Sequence, residues 1–110
     1  MKMRTYCVFC NIVAGKEPAT VRYQDDEVIV IDNRLRWTPV MLLVMPKKHM
    51  TQEEMWDGFI GKVAKAALEV GHKLCPDGFR LLSNFGWDAL QSQDHAHLHL
   101  IGGTELGPYA

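Results

Sequence analysis

Short apolar runs separated by Gly, Pro and acidic residues divide this chain, and their hydrophobic period changes from run to run. Cys7 to Ala14, closed by Gly15, predicts a short helix or turn. Val21 to Tyr23 predicts a brief strand, turned by Gln24-Asp25-Asp26. The β-branched run Val28-Ile29-Val30-Ile31 predicts a buried strand, and Val40 to Met45, set between Pro39 and Pro46, predicts another. Trp56, Phe59, Ile60, Val63, Ala67, Val70 and Leu74 then recur at helical spacing, so Glu53 to about Leu74 reads as one amphipathic helix. Thr51-Gln52-Glu53-Glu54 at its start has the form of a capping box. Gly71 weakens its last turn, and Pro76-Asp77-Gly78 stops it. Phe79 to Ser83 and His95 to Ile101 predict the last strands, joined by the loop Asn84 to Asp94.

Strands in pairs with a long helix between them predict an α+β fold: a mostly antiparallel sheet of about five strands, one long helix and one short one. A sheet this small leaves exposed edges and little buried area, which predicts a homodimer that extends it. Trp56, Phe59, Ile60 and Val63 give the helix more apolar bulk than such a sheet needs. Part of that face, with the neighbouring sheet edge, is therefore expected at a two-fold interface.

The chain has 110 residues, 47% of them hydrophobic, which fits a single domain spanning 1–110, with its core at about 7–103 and a short tail at 104–110. A net charge of −1 argues against a nucleic-acid or membrane surface built on bulk electrostatics. No apolar run approaches the ~18 residues of a membrane span, and Met1 to Tyr6 lead into no signal-like stretch. The expected location is cytoplasmic, where the three cysteines are reduced thiols or metal ligands rather than disulfides.

Chemistry concentrates at Asp94-His95-Ala96-His97-Leu98-His99-Leu100-Ile101-Gly102-Gly103, where three of the five histidines fall within five residues. In an extended strand all three imidazoles line one face, roughly 7 Å apart, with Ala96, Leu98 and Leu100 on the other. Neutral imidazole is a nucleophile, a metal ligand and a proton carrier near pH 7. A merely polar strand face and a three-histidine metal site are competing readings. The second suffers because adjacent rings on a strand point nearly parallel, which is poor for wrapping one ion. Asn84-Phe85-Gly86 and Gln91-Ser92 offer donors for a phosphoryl oxygen beside a nucleophilic imidazole. Cys7-Val8-Phe9-Cys10 makes half of a tetrahedral zinc site that His49 and His95 could complete; otherwise the two cysteines are small packing residues. Cys75 and His72 read as structural or surface residues.

His95-Ala96-His97-Leu98-His99-Leu100-Ile101 resembles the alternating signature of the histidine triad (HIT) superfamily. Cys7 to Gly15 resembles that family's opening and Val44-Met45-Pro46-Lys47-Lys48-His49 its central strand and histidine. Gln91-Ser92 before the triad and Gly102-Gly103 after it resemble the Hint-like branch. The resemblance runs from about Cys7 to Gly103. It implies a HIT-like fold, a homodimer and an enzyme cleaving at the α-phosphorus of a nucleoside phosphoramidate. His97 would be the nucleophile, forming a nucleotidyl-histidine, and His99 would orient the site and contact the nucleotide. Asn84, Gln91 and Ser92 would bind phosphate oxygens, Phe9 and Ile31 the base, and Asp32 or Asn33 the ribose. Cys7, Cys10, His49 and His95 would hold structural zinc. The implied ligand is a purine nucleotide or nucleoside phosphoramidate, with no organic cofactor. The alternatives are dinucleoside polyphosphate hydrolysis, or nucleotide or partner binding with little turnover.

The chain departs from that pattern at several places. Asp32 and Asn33 compete for the ribose position, and counting back from His49 favours Asn33. Arg34-Leu35-Arg36-Trp37 replaces a Pro-containing loop and is expected to narrow or reshape the nucleoside mouth. Val40-Met41 stands for a Gly-His pair, and Asp94 for an apolar residue before the triad. Leu90 occupies the place of a small residue, and a branched side chain there predicts φ below zero.

Overall fold

The computed structural model describes residues 6–108, so Met1–Thr5 at the start and 109–110 of the tail lie outside the described residues. A five-stranded antiparallel sheet has the order β1-β2-β3-β5-β4. The strands are β1 (Val21–Gln24), β2 (Val28–Asp32), β3 (Val40–Pro46), β4 (Phe79–Leu82) and β5 (Leu98–Gly102). Alternation sorts each strand's side chains onto two faces. Val28, Val30, Leu42, Val44, Leu98 and Leu100 join Met55, Val63, Ala67 and Val70 of the long helical run in the larger core. Ile29, Ile31, Leu43 and Met45 pack with Phe9 of the short helix α1 (Val8–Val13) on the opposite face. One sheet thus carries a full core on one face. Only part of the other is covered, which leaves room for a site beside α1.

The long helix is built in three pieces. Thr51 caps α2 (Gln52–Glu54), accepting from the Glu54 N–H, and the Glu54 carboxylate returns to the Thr51 N–H, so the expected capping box is present. A π-helical turn (Met55–Phe59) then breaks the register before α3 (Ile60–Leu74). Sequence periodicity predicted one regular helix here; a π turn inserts without changing the apolar stripe enough to be read from it. Gly71 has a packing role: a Cβ there would meet the Phe79 ring carbons at 2.4–2.7 Å.

Three expectations need correction. The last strand begins at Leu98, not His95, since β5 pairs with β3 only from Val44↔Leu98 onward and with β4 only up to Leu82↔His99. Of the helix face expected at an interface, Val63 is fully buried in the chain's own core, with Phe59 and Ile60 packed against it. Trp56 alone of that set is exposed, at 44%. Leu90 has φ +57°, the left-handed region, and not the negative φ its branched side chain predicts.

Candidate active site and metal centre

The segment entering β5 keeps the predicted alternation although its first residues are not in the ladder. Ala96, Leu98 and Leu100 enter the larger core, while the three histidines turn toward α1. There they part. The Phe9 ring packs T-shaped against both His95 (5.8 Å) and His97 (5.4 Å), so one residue of α1 contacts both. His95 goes to the cysteines, so no single ion is wrapped by all three imidazoles.

Two hydrogen bonds give the neighbouring imidazoles opposite tautomers. A carbonyl only accepts, so His97 Nδ1, 2.8 Å from the His95 carbonyl, carries the proton and leaves the Nε2 lone pair free of it. His95 reverses this: its Nε2 donates to the Pro46 carbonyl at 2.7 Å, and its bare Nδ1 faces Cys7 Sγ at 3.6 Å and Cys10 Sγ at 3.5 Å. Burial pushes both pKa values down, that of His95 to about 4, against the opposing pull of each ring's carbonyl partner. His99 also falls to about 4, through burial and then the neighbouring His97. All three are neutral imidazoles near pH 7.

Cys7, Cys10, His49 and His95 offer four ligand atoms that all lie within 4.8 Å of one another. Zinc–sulfur and zinc–nitrogen bonds of about 2.3 and 2.0–2.1 Å, set tetrahedrally, place S and N roughly 3.6 Å apart. The observed S–N separations of 3.3 Å (Cys10–His49), 3.5 Å and 3.6 Å match that edge. The donor set fits zinc, and the Pro46 carbonyl supplies the outer hydrogen bond that orients a ligating histidine. Burial, reinforced by Cys7, holds the Cys10 thiol at about 11, so a cation binding there must displace its proton.

His97 and His99, with ring centroids 5.1 Å apart, face a cavity of about 750 Å³. Val8, Phe9 and Ile12 of α1 form one wall, Ile31 and Leu43 the floor, Ser92 and Gln93 the end beside the histidines. Arg34, Leu35 and Arg36 line the rim, so the loop that departs from the family pattern does shape the mouth. Asp32 and Asn33 both reach this rim. The Asp32 carboxylate is held by Arg22 at 2.7 and 3.0 Å, a bond that keeps its pKa below the usual carboxylate range. Asn33, just past the end of β2, is engaged as well, its Oδ1 accepting from the Leu35 N–H at 3.0 Å. Two expected phosphate ligands lie off the cavity wall. Asn84 Nδ2 is 3.5 Å from His99 Nε2, and the Gln91 amide closes its own loop, accepting from Gly86 N–H and donating to the Gln93 carbonyl.

Sequence reasoning missed Gln93 on the cavity wall and Gln52 behind the nucleophile segment. Gln93 carried no distinguishing signal. Gln52 did: it is a polar residue three before Met55 and eleven before Val63, on the helix face that enters the core.

Known proteins share this fold. The family model described as the HIT domain matches residues 14–106, so Cys7, Phe9 and Cys10 precede the matched region. An uncharacterised HIT-like protein of Chlamydia trachomatis is 33% identical over 110 residues, covering 94% of this chain and 97% of that protein. The solved structure of a HIT family hydrolase from Clostridium thermocellum superposes with TM-score 0.87 at 33% identity, over 97% of this chain and 98% of that one. A hypothetical histidine triad nucleotide-binding protein from Sulfolobus tokodaii superposes with TM-score 0.73 at 29% identity, over 94% and 72% of the two chains.

Proposed function

This chain belongs to the HIT family, and from that membership and the geometry around His97 we propose that it is a nucleotide hydrolase or transferase acting on nucleoside phosphoramidates. The observation that carries the reading is the His97 tautomer: Nδ1–H is committed to the His95 carbonyl, so Nε2 is a neutral nucleophile at the cavity wall. The Nε2 lone pair attacks the α-phosphorus, and the P–N bond to the amine breaks. The amine leaves with that electron pair and takes a proton from solvent. Water then attacks the phosphorus of the nucleotidyl-histidine, giving one proton to solvent, and the P–Nε2 bond breaks with its electron pair returning to Nε2. The products are the nucleoside monophosphate and neutral His97.

The lining residues support a placement for each part of such a substrate. A purine would sit between Phe9 of α1 and Ile31 of the floor, its ribose toward Asn33 and its phosphate toward Ser92 and His99. Asn33 is preferred over Asp32 because Arg22 holds both Asp32 carboxylate oxygens, whereas Asn33 Oδ1 makes a local turn bond, accepting from the Leu35 N–H. Asn84 would act through His99, and Gln91 by holding the loop that carries Ser92. Cys7, Cys10, His49 and His95 would hold zinc. When bound, it would tie α1 to the segment entering β5 and contribute folding free energy, with no part in the phosphoryl chemistry. The description of the Clostridium relative as a hydrolase and of the Sulfolobus relative as nucleotide-binding supports the same class of activity.

The test is hydrolysis of an adenosine phosphoramidate by wild type and His97→Ala. Loss of the covalent route should lower kcat by about three orders of magnitude or more while nucleotide binding persists. Near-wild-type turnover by His97→Ala would rule the mechanism out.

A further inference from the structure

Among the described residues three polar side chains are buried: His95, His97 and Gln52. The first two have roles above. Gln52, with no exposed surface, belongs to neither the cavity wall nor the metal cluster. A buried amide is tolerated only when its hydrogen bonds are made. Those of Gln52 all go to the active site. Its Oε1 accepts from the His97 N–H at 3.1 Å, and its Nε2 donates to the His97 carbonyl and to the Asn84 carbonyl, each at 3.2 Å.

The backbone around His97 explains why such a clamp is needed. β5 begins at Leu98, so both ladders stop before His97 and no strand partner holds its peptide groups. The Gln52 amide takes that place, pairing with the N–H and C=O of one residue as a neighbouring strand would. Ser83 Oγ donates to the same His97 carbonyl at 3.1 Å. The bond to Asn84 extends the clamp to the residue whose side chain reaches His99. Gln52 sits in the capped first turn, immediately before the π-helical turn, and is therefore anchored on the Thr51 capping box.

We propose that Gln52 is the positioning residue of the nucleophile: its side-chain amide fixes the His97 backbone, and through it the direction of the imidazole, relative to Asn84. This rests on the assignment of His97 as nucleophile. Gln52 touches no substrate and acts through His97 alone.

Gln52→Met keeps the volume and removes all three hydrogen bonds; Gln52→Glu is isosteric and keeps an acceptor for the His97 N–H. Each is compared with wild type for kcat and KM on an adenosine phosphoramidate, for AMP affinity by calorimetry, and for thermal unfolding. The ¹⁵N spectrum of the His97 ring is recorded in parallel. Small misplacement of a reacting group costs up to about a hundredfold, so Gln52→Met should lose about 10- to 100-fold in kcat with AMP affinity within about threefold of wild type. Its His97 spectrum should move from the Nδ1–H tautomer toward a mixture, and Gln52→Glu should fall between Gln52→Met and wild type in both readouts. If Gln52→Met does not fold, a kcat loss with unchanged AMP affinity in Gln52→Glu decides in favour. Turnover by His97→Ala would overturn the nucleophile assignment and, with it, this proposal, whereas a His97→Ala loss leaves the two Gln52 variants to decide positioning. A folded variant with wild-type kcat and an unchanged His97 spectrum would overturn the proposal. So would a kcat loss matched by an equal loss of AMP affinity.

Discussion

Leu90→Gly should make the protein more stable without making it a better catalyst. Leu90 adopts φ +57°, where an L side chain crowds its own backbone at a cost of about 1–2 kcal/mol. Glycine takes the same φ freely, but its greater freedom in the unfolded chain returns roughly 0.5–1 kcal/mol of that gain. Deleting the side chain removes little packing, because Leu90 is 82% exposed. The balance is a stabilisation of about 0.5–1 kcal/mol, or a rise in Tm of about 2–5 °C for a domain of this size. The loop's own bonds, Leu90 N–H to the Trp87 carbonyl (3.0 Å) and Gln91 N–H to the Gly86 carbonyl (3.1 Å), already fit the left-handed geometry. Glycine therefore has no new position to give Ser92, and kcat/KM should stay within about twofold of wild type. Calorimetric melting and steady-state kinetics on one adenosine phosphoramidate check both halves. A fall in Tm would refute the strain argument. A large change in kcat/KM would mean the Leu90 side chain itself meets the substrate.

Purified protein should carry about one zinc per chain, and Cys10→Ser should lose it together with some thermal stability; elemental analysis finding no zinc after reconstitution would leave the cysteines as packing residues. His99 has its pKa lowered to about 4 in the fold against about 6.5 when unfolded, so the unfolded state takes up the proton first. The stability it contributes is complete above pH 6.5 and is lost as pH falls toward 4, and His99→Asn should flatten that part of the pH–Tm curve; an unchanged slope would contradict it. Light scattering should report twice the chain mass if the β4 edge and exposed Trp56 meet their own copies across a two-fold axis. A monomer at micromolar concentration would contradict the dimer.

Much of this was legible in the sequence because the signals are local. The β-branched run at Val28–Ile31, the Pro-bounded run ending at Pro46 and the Thr51–Glu54 box each settle within a few residues, and all three are observed. The triad was recognisable by its spacing alone, although two of its histidines precede the strand. What escaped depends on contacts distant in sequence or on dihedral angles. That Phe9 packs against both His95 and His97 follows from α1 lying on the sheet, 86–88 residues away in sequence. The reach of Gln52 to His97 spans 45 residues. The positive φ of Leu90 is imposed by its loop against the residue's own preference.

The proposed catalysis requires a covalent bond to one nitrogen, His97 Nε2. Wild-type protein mixed with a labelled adenosine phosphoramidate, quenched within the first turnovers and digested for mass spectrometry, reads that bond directly. The expected result is one adenylyl group on the peptide carrying His97, forming and decaying at rates that account for turnover, and absent from His97→Ala. Turnover with no adduct at any quench time, or an adduct on another residue that survives His97→Ala, would contradict it.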